Sequence, residues 1–154
     1  MLEWMLLPFK RYAEFSGRSR RMEYWSFALL NFIVYLVLVA IMMAGGFSLE
    51  QFAAMQTPGA QMEPPGALFY VGAGVLGIYA LAVFIPNLAV TIRRLHDRNM
   101  SGWFVLLFIV LSAIPIVGML VSIAWLVLMF LPGTPGPNKY GPDPKDPSGV
   151  EVFS

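Results

Sequence analysis

The chain has 154 residues, 58% apolar and only 12% charged, about half the charged share of an ordinary soluble domain, which is near 25%. A soluble protein of this size must cover itself with polar groups, so the composition excludes a free-standing soluble domain, and the mean hydropathy of +0.68 agrees. With no cysteine and one histidine, disulfides, thiolate chemistry and a plausible zinc site are excluded.

The charges fall in clusters. No Asp, Glu, Lys or Arg lies between Glu23 and Glu50, between Glu63 and Arg93, or between Arg98 and Lys139. A helix crosses hydrocarbon with about 20 mostly apolar residues. The expected fold is therefore an all-α integral membrane protein with two full transmembrane helices and a Pro/Gly-broken helical hairpin, about four membrane helices in all. An interfacial amphipathic helix precedes them. Three regions follow: a cytoplasmic amphipathic and basic segment over 1–23, a transmembrane domain over 24–131, and a Pro/Gly-rich cytoplasmic tail over 132–154.

In the first segment Leu2, Met5, Leu6, Phe9 and Tyr12 recur at spacings of three and four, one apolar helical stripe. Pro8 interrupts it, which predicts two short pieces or a late start. Lys10, Arg11, Arg18, Arg20 and Arg21 follow. An apolar stripe beside a basic cluster suits a segment lying against anionic headgroups, although an ordinary juxtamembrane anchor has the same look. The three acidic residues before Tyr24, and an apolar run longer than a signal-peptide core, predict a retained anchor.

The first span, Tyr24–Ala44, opens on the interfacial aromatics Tyr24 and Trp25 and ends at Gly45-Gly46. The connection Gly45–Ala67 carries Glu50 and Glu63 but no Lys or Arg. Pro58, Pro64 and Pro65 limit it to a helical turn or two near Leu49–Met55. The second span, Leu68–Val90, is rich in small residues, and Gly74 and Gly77 are its candidates for close helix packing. Pro86 predicts a kink near its cytoplasmic end.

The apolar stretch Trp103–Leu131 is divided at Ile114-Pro115-Ile116-Val117-Gly118. One straight helix would be about 43 Å long at 1.5 Å per residue, against a hydrocarbon core of about 30 Å. One kinked span, two short spans and a re-entrant hairpin all remain open. The hairpin puts all ten Lys and Arg residues on one side of the membrane and satisfies the positive-inside bias. Pro115 and Gly118 would pack its turn. The tail, with six prolines and four glycines over 132–154, reads as an extended, membrane-skimming segment with a disordered end.

Three polar motifs stand out: Gly17-Arg18-Ser19-Arg20-Arg21-Met22-Glu23-Tyr24-Trp25, Arg93-Arg94-Leu95-His96-Asp97-Arg98, and Asn138-Lys139-Tyr140-Gly141-Pro142-Asp143-Pro144. At these residues the chain resembles the bacterial domain of unknown function 805 family, the YhaH-like inner membrane proteins, over about residues 8–145. The resemblance implies a multi-pass protein of the bacterial inner membrane with no established activity. The Gly45–Ala67 connection looks longer than that family requires.

Arg18, Arg21, Glu23, Arg93, Arg94, His96, Asp97 and Arg98 form the candidate site. Arginine with carboxylate predicts a directional ion-pair network, and arginine alone predicts a seat for anionic lipid or a phosphorylated ligand. His96 and Asp97 are sequence neighbours and face different directions on a helix, so they form no catalytic pair. No ionisable residue lies within the spans, which argues against an ion-coupled transporter, and no nucleic-acid motif is present. The expected function is a non-catalytic inner membrane scaffold or accessory subunit, with no cofactor and no metal. It would bind anionic lipid or a membrane-protein partner through its cytoplasmic arginines, with both termini cytoplasmic, and could form a homo-oligomer. The alternative is a small oligomeric channel or transporter lined by the glycine-rich face of the second span.

Overall fold

The structure is a computed structural model and describes residues 1–46, 48–59 and 64–146. Glu63 and the end of the tail, whose disorder the composition predicts, lie outside the described residues. Every regular element within them is a helix: α1 (Leu2–Lys10), α2 (Arg21–Ala44), α3 (Leu49–Met55), α4 (Ala67–Asp97), α5 (Phe104–Ser112) and α6 (Val117–Phe130). Among the described residues, only α2 and α4 are long and apolar enough to cross a membrane, with α6 a shorter apolar helix. In their apolar windows just 17% and 11% of residues are buried. Ile78 and Leu81 are 72% and 77% exposed. A soluble core helix hides such side chains, whereas a helix dissolved in lipid displays them.

The chain divides into two compact units, Leu29–Val83 and the pair Met1–Ala28 with Phe84–Ser154. In the first unit, α2 and α4 pack antiparallel along a seam. The Tyr79 hydroxyl donates to Asn31 Oδ1 at 3.0 Å, and Tyr35 meets Tyr79 edge to face at 5.6 Å. A Cβ on Gly72 would lie 2.7 Å from Met42 Cγ, and one on Gly45 would collide with the backbone of Phe69. The α4 seam thus runs Phe69, Gly72, Tyr79, Val83, at helical spacings of three, seven and four. Gly74 and Gly77 do not belong to it. Both are exposed, and a Cβ on either meets nothing within 4 Å. The expectation that they pack helices is corrected: at 100° per residue they sit about 200° and 140° from Gly72, off the seam that Gly72 occupies. α3 is opened by a capping box between Ser48 and Gln51.

The second unit has its core at Leu95, Val105 and Met129, with Trp25 and Trp125 packed around it. α5 and α6 meet through Phe108 and Trp125 at 4.4 Å. They reverse at Pro115–Ile116. Ile116 has φ 66°, a strained setting for a β-branched residue, and the Gly118 N–H donates to Ile114 at 2.7 Å. Gly118 is buried, and a Cβ there would strike the Ser112 backbone. Pro115 is exposed: it lies in the turn and is not a buried packing contact. Pro86 is fully buried inside an uninterrupted α4. Pro8 does not split α1; it removes one ladder donor, and its ring is buried beside Met5. Leu2, Leu6 and Tyr12 of the expected stripe are exposed.

Candidate functional site

α4 extends seven residues past the expected span end, to Asp97, and carries Arg93, Arg94 and Asp97 on its last two turns. A helix end leaves carbonyls without intrahelical partners, and two segments converge to satisfy them. Asn99, at φ 59°, supplies the left-handed turn. The N–H groups of Asn99 and Met100 donate to His96 and Leu95 at 2.9 and 3.0 Å, a Schellman closure. The tail completes it. Thr134 donates to the Asp97 carbonyl through its N–H at 2.9 Å and its hydroxyl at 3.1 Å, and Asn138 Nδ2 donates to the His96 carbonyl at 2.9 Å.

Around this cap lie five charged residues at 6% exposure or less: Arg18, Glu23, Arg93, Arg94 and Asp97. Asp97 accepts from Arg18 Nε at 2.9 Å and from Arg94 Nη1. Arg18 also donates to the carbonyls of Thr134 and Gly136, each at 2.6 Å. Arg93 Nη2 donates to Glu23 Oε1 at 2.7 Å, and the Ser19 hydroxyl serves the other Glu23 oxygen at 2.8 Å. Arg94 donates to the Leu131 and Met129 carbonyls. Three guanidiniums thus face two carboxylates, and main-chain carbonyls hold the cation left over. Buried ions are tolerable only when paired and hydrogen-bonded in this way. Gly133 has no room for a side chain, since a Cβ there would run into the Asp97 carboxylate.

The other expected site residues stand apart from this knot. Arg21 is exposed and donates to the Phe130 carbonyl at 3.2 Å. Arg98 donates to Pro132 and forms no ion pair with a carboxylate among the described residues. His96 points away from Asp97, with Nδ1 3.2 Å from the Gly17 carbonyl and its ring stacked on Tyr140 at 3.8 Å. A carbonyl can only accept, so Nδ1 carries the hydrogen. Guanidiniums stay protonated, so the knot sets fixed positive charge against the Asp97 and Glu23 carboxylates. Among the described residues, no three His, Asp or Glu side chains gather as a metal site.

The profile of the family described as "Protein of unknown function (DUF805)" matches residues 12–142. The chain belongs to this family. Inner membrane protein YhaH of Escherichia coli strain K12 is 39% identical over 148 residues, covering 94% of this chain and 98% of its own length. Inner membrane protein YhaI of the same strain is 38% identical over 144 residues, covering 94% and 97%. No solved structure matches the chain. The DUF805 proteins it resembles are thus inner membrane proteins, in a family without an assigned role.

This DUF805 chain uses residues that pattern reading passed over. Arg11 forms a fork with Glu14 at 2.7 Å, which holds the Glu14 carboxyl below the usual range. Ser19 completes a buried bond described above, and Thr134 and Asn138 complete half-buried ones. The third motif offered a clue: Asn and Asp beside Gly and Pro stabilise turns by side-chain bonds to backbone. Asp143 does this, accepting from the Lys145 and Gly136 N–H groups at 3.0 Å each. The tail therefore does not skim freely; from Leu131 to Pro144 it is strapped by α4, Arg98, Arg18 and Arg20. Its carbonyls, which no hydropathy count registers, make that attachment.

Proposed function

We propose that the protein is a non-catalytic inner membrane scaffold or accessory subunit that binds anionic lipid or a membrane-protein partner at its cytoplasmic face. The observation that carries this reading is the pairing inside the buried knot, in which each guanidinium has at least one carboxylate or carbonyl partner although Arg93 Nε and Nη1 and Arg94 Nε make no hydrogen bond. Arg18, Arg93 and Arg94 are engaged by carboxylates and carbonyls, so their work is to hold the ends of α2 and α4 and the tail in one arrangement. Binding then falls to the exposed cations Lys10, Arg21 and Lys139, while the half-buried Arg20 and Arg98 also bond the tail carbonyls of Pro144 and Pro132. This changes the expected division of labour: Arg93 and Arg94 position the surface and do not form it.

The orientation belongs to the same proposal. All ten Lys and Arg residues fall in the unit made of Met1–Ala28 and Phe84–Ser154, which supports a cytoplasmic placement of both termini. At 1.5 Å per residue, α5 spans about 14 Å and α6 about 21 Å, against a core of about 30 Å. Those lengths favour a re-entrant hairpin over two crossings. The natural chain lacks cysteine, so single cysteines at Glu50 and Lys145 can be labelled with a membrane-impermeant maleimide in spheroplasts. Labelling at 50 and protection at 145 are expected, and the reverse pattern defeats the orientation. For function, Lys10, Arg21 and Lys139 replaced together by Gln should lose co-purifying anionic lipid or partner while folding normally. Retention of both would defeat the scaffold reading.

The open flank of α4 at Gly74 and Gly77 favours one second reading, an oligomeric pore. Flux in proteoliposomes that disappears in Gly77→Leu would support it.

A further inference from the structure

Beside the knot is a groove of about 500 Å³ that the clamp does not use, within the roughly 300–1,000 Å³ typical of small-molecule sites. Its floor is apolar, made by Leu88 and Ile92 of α4 and Val105 of α5. Its rim is polar, with His96, Ser101 and Tyr140. We propose that this groove seats one anionic glycerophospholipid, an acyl chain on the floor and the headgroup at the rim. The inference rests on the reading of this face as cytoplasmic and lipid-binding, and it deepens that reading by giving the lipid a defined place.

Three observations carry it. First, the groove exists because residue 102 is glycine. A Cβ there would lie 2.8 Å from Ile92 Cγ2 and 3.6 Å from His96 Nε2, so any side chain would enter the space between floor and rim. Second, a cation lies just outside the lining. Lys139 does not line the groove itself, but its Nζ sits 4.9 Å from the ring of Tyr140, which does, and no carboxylate lines the groove. A phosphodiester at the Ser101 hydroxyl would meet no competing anion, with the Lys139 charge next to Tyr140. Third, His96 donates through Nδ1 to Gly17, which leaves Nε2 as an acceptor on the Gly102 side, suited to a headgroup hydroxyl such as that of phosphatidylglycerol. Trp103, 77% exposed at the groove's edge, has the amphipathic ring that favours the headgroup level.

The test uses the full chain in detergent micelles, titrated with phosphatidylglycerol or phosphatidylcholine and read by native mass spectrometry. One tightly held phosphatidylglycerol per chain is expected. Gly102→Leu should weaken it by about tenfold or more, as even one ill-fitting methylene can, with circular dichroism unchanged. Lys139→Gln is exposed and does not threaten folding; it should weaken phosphatidylglycerol by about fivefold, the worth of one interfacial cation, and leave phosphatidylcholine alone. A folded Gly102→Leu that binds like the natural chain overturns the groove assignment, as does Lys139→Gln with an unaltered lipid preference. Either result leaves the broader cationic face intact. That face fails separately, if the natural chain shows no preference for phosphatidylglycerol at all.

Discussion

Glu23→Gln is the sharpest probe of the buried knot. The Glu23 and Arg93 side chains are 2% and 0% exposed and 2.7 Å apart. Removing the negative charge leaves Arg93 buried, with Glu14 at 3.9 Å as its nearest remaining carboxylate. Breaking one side of such a pair costs about 3–5 kcal/mol, a large part of the 5–15 kcal/mol that holds a typical protein folded. Arg93→Met should cost less, because Glu23 keeps the Ser19 hydroxyl at 2.8 Å and Arg11 at 3.8 Å. The double variant buries no unpaired ion, so it should recover part of the loss, with a coupling of about 2–3 kcal/mol. Unfolding in mixed micelles of dodecyl maltoside and increasing dodecyl sulfate, followed by circular dichroism, measures all four corners of the cycle. A cost below about 1 kcal/mol for Glu23→Gln, or strictly additive single variants, would show that the pair is solvated and the clamp argument unsound.

Other consequences can be checked in the same preparation. Gly133→Ala should dislodge the tail, since the new methyl occupies the place of the Asp97 carboxylate; faster tryptic cleavage at Lys139 is the readout. Asp143 is held below the usual carboxylate range, chiefly by the Lys145 N–H and then by the Gly136 N–H and Arg18. A depressed folded value stabilises the tail at pH above the unfolded value of about 3.9. That contribution should vanish as pH falls through the lower folded value. Hydrogen exchange of the Gly136 and Lys145 amides should rise over that acid range, and Asp143→Asn should abolish the step. Gly72→Leu should destabilise the α2–α4 seam through collision with Met42, whereas Gly77→Leu should leave the monomer's stability within about 0.5 kcal/mol, by the same micelle assay.

Some features were legible because they depend only on order along the chain. Apolar runs set where α2 and α4 lie, Pro115 marked the break between α5 and α6, and three motifs marked where charge would gather. The expected end of the second span, Val90, was seven residues short for a physical reason. A hydropathy window penalises arginine wherever it occurs, but Arg93 and Arg94 have partners that let the helix continue. Pairing was not legible. Asp97 takes Arg18, 79 positions away, in preference to Arg98 next to it, because helix azimuth and loop path decide which guanidinium reaches the carboxylate.

Prolines and glycines teach the same distinction. Pro8 and Pro86 ride inside helices while Pro115 sits at a reversal, though the residue type is identical; neighbouring backbone angles, such as that of Ile116, separate the cases. Gly77 matched a packing pattern, yet a Cβ there meets nothing within 4 Å among the described residues, while Gly72, five residues earlier, carries the seam. Solvent preference is a property each segment owns, so composition and charge placement determined by themselves that this protein is helical and bound for a membrane. Which cation meets which anion, and that a proline-rich tail caps α4, are properties of distance and direction between remote segments, and only the tertiary structure decided them.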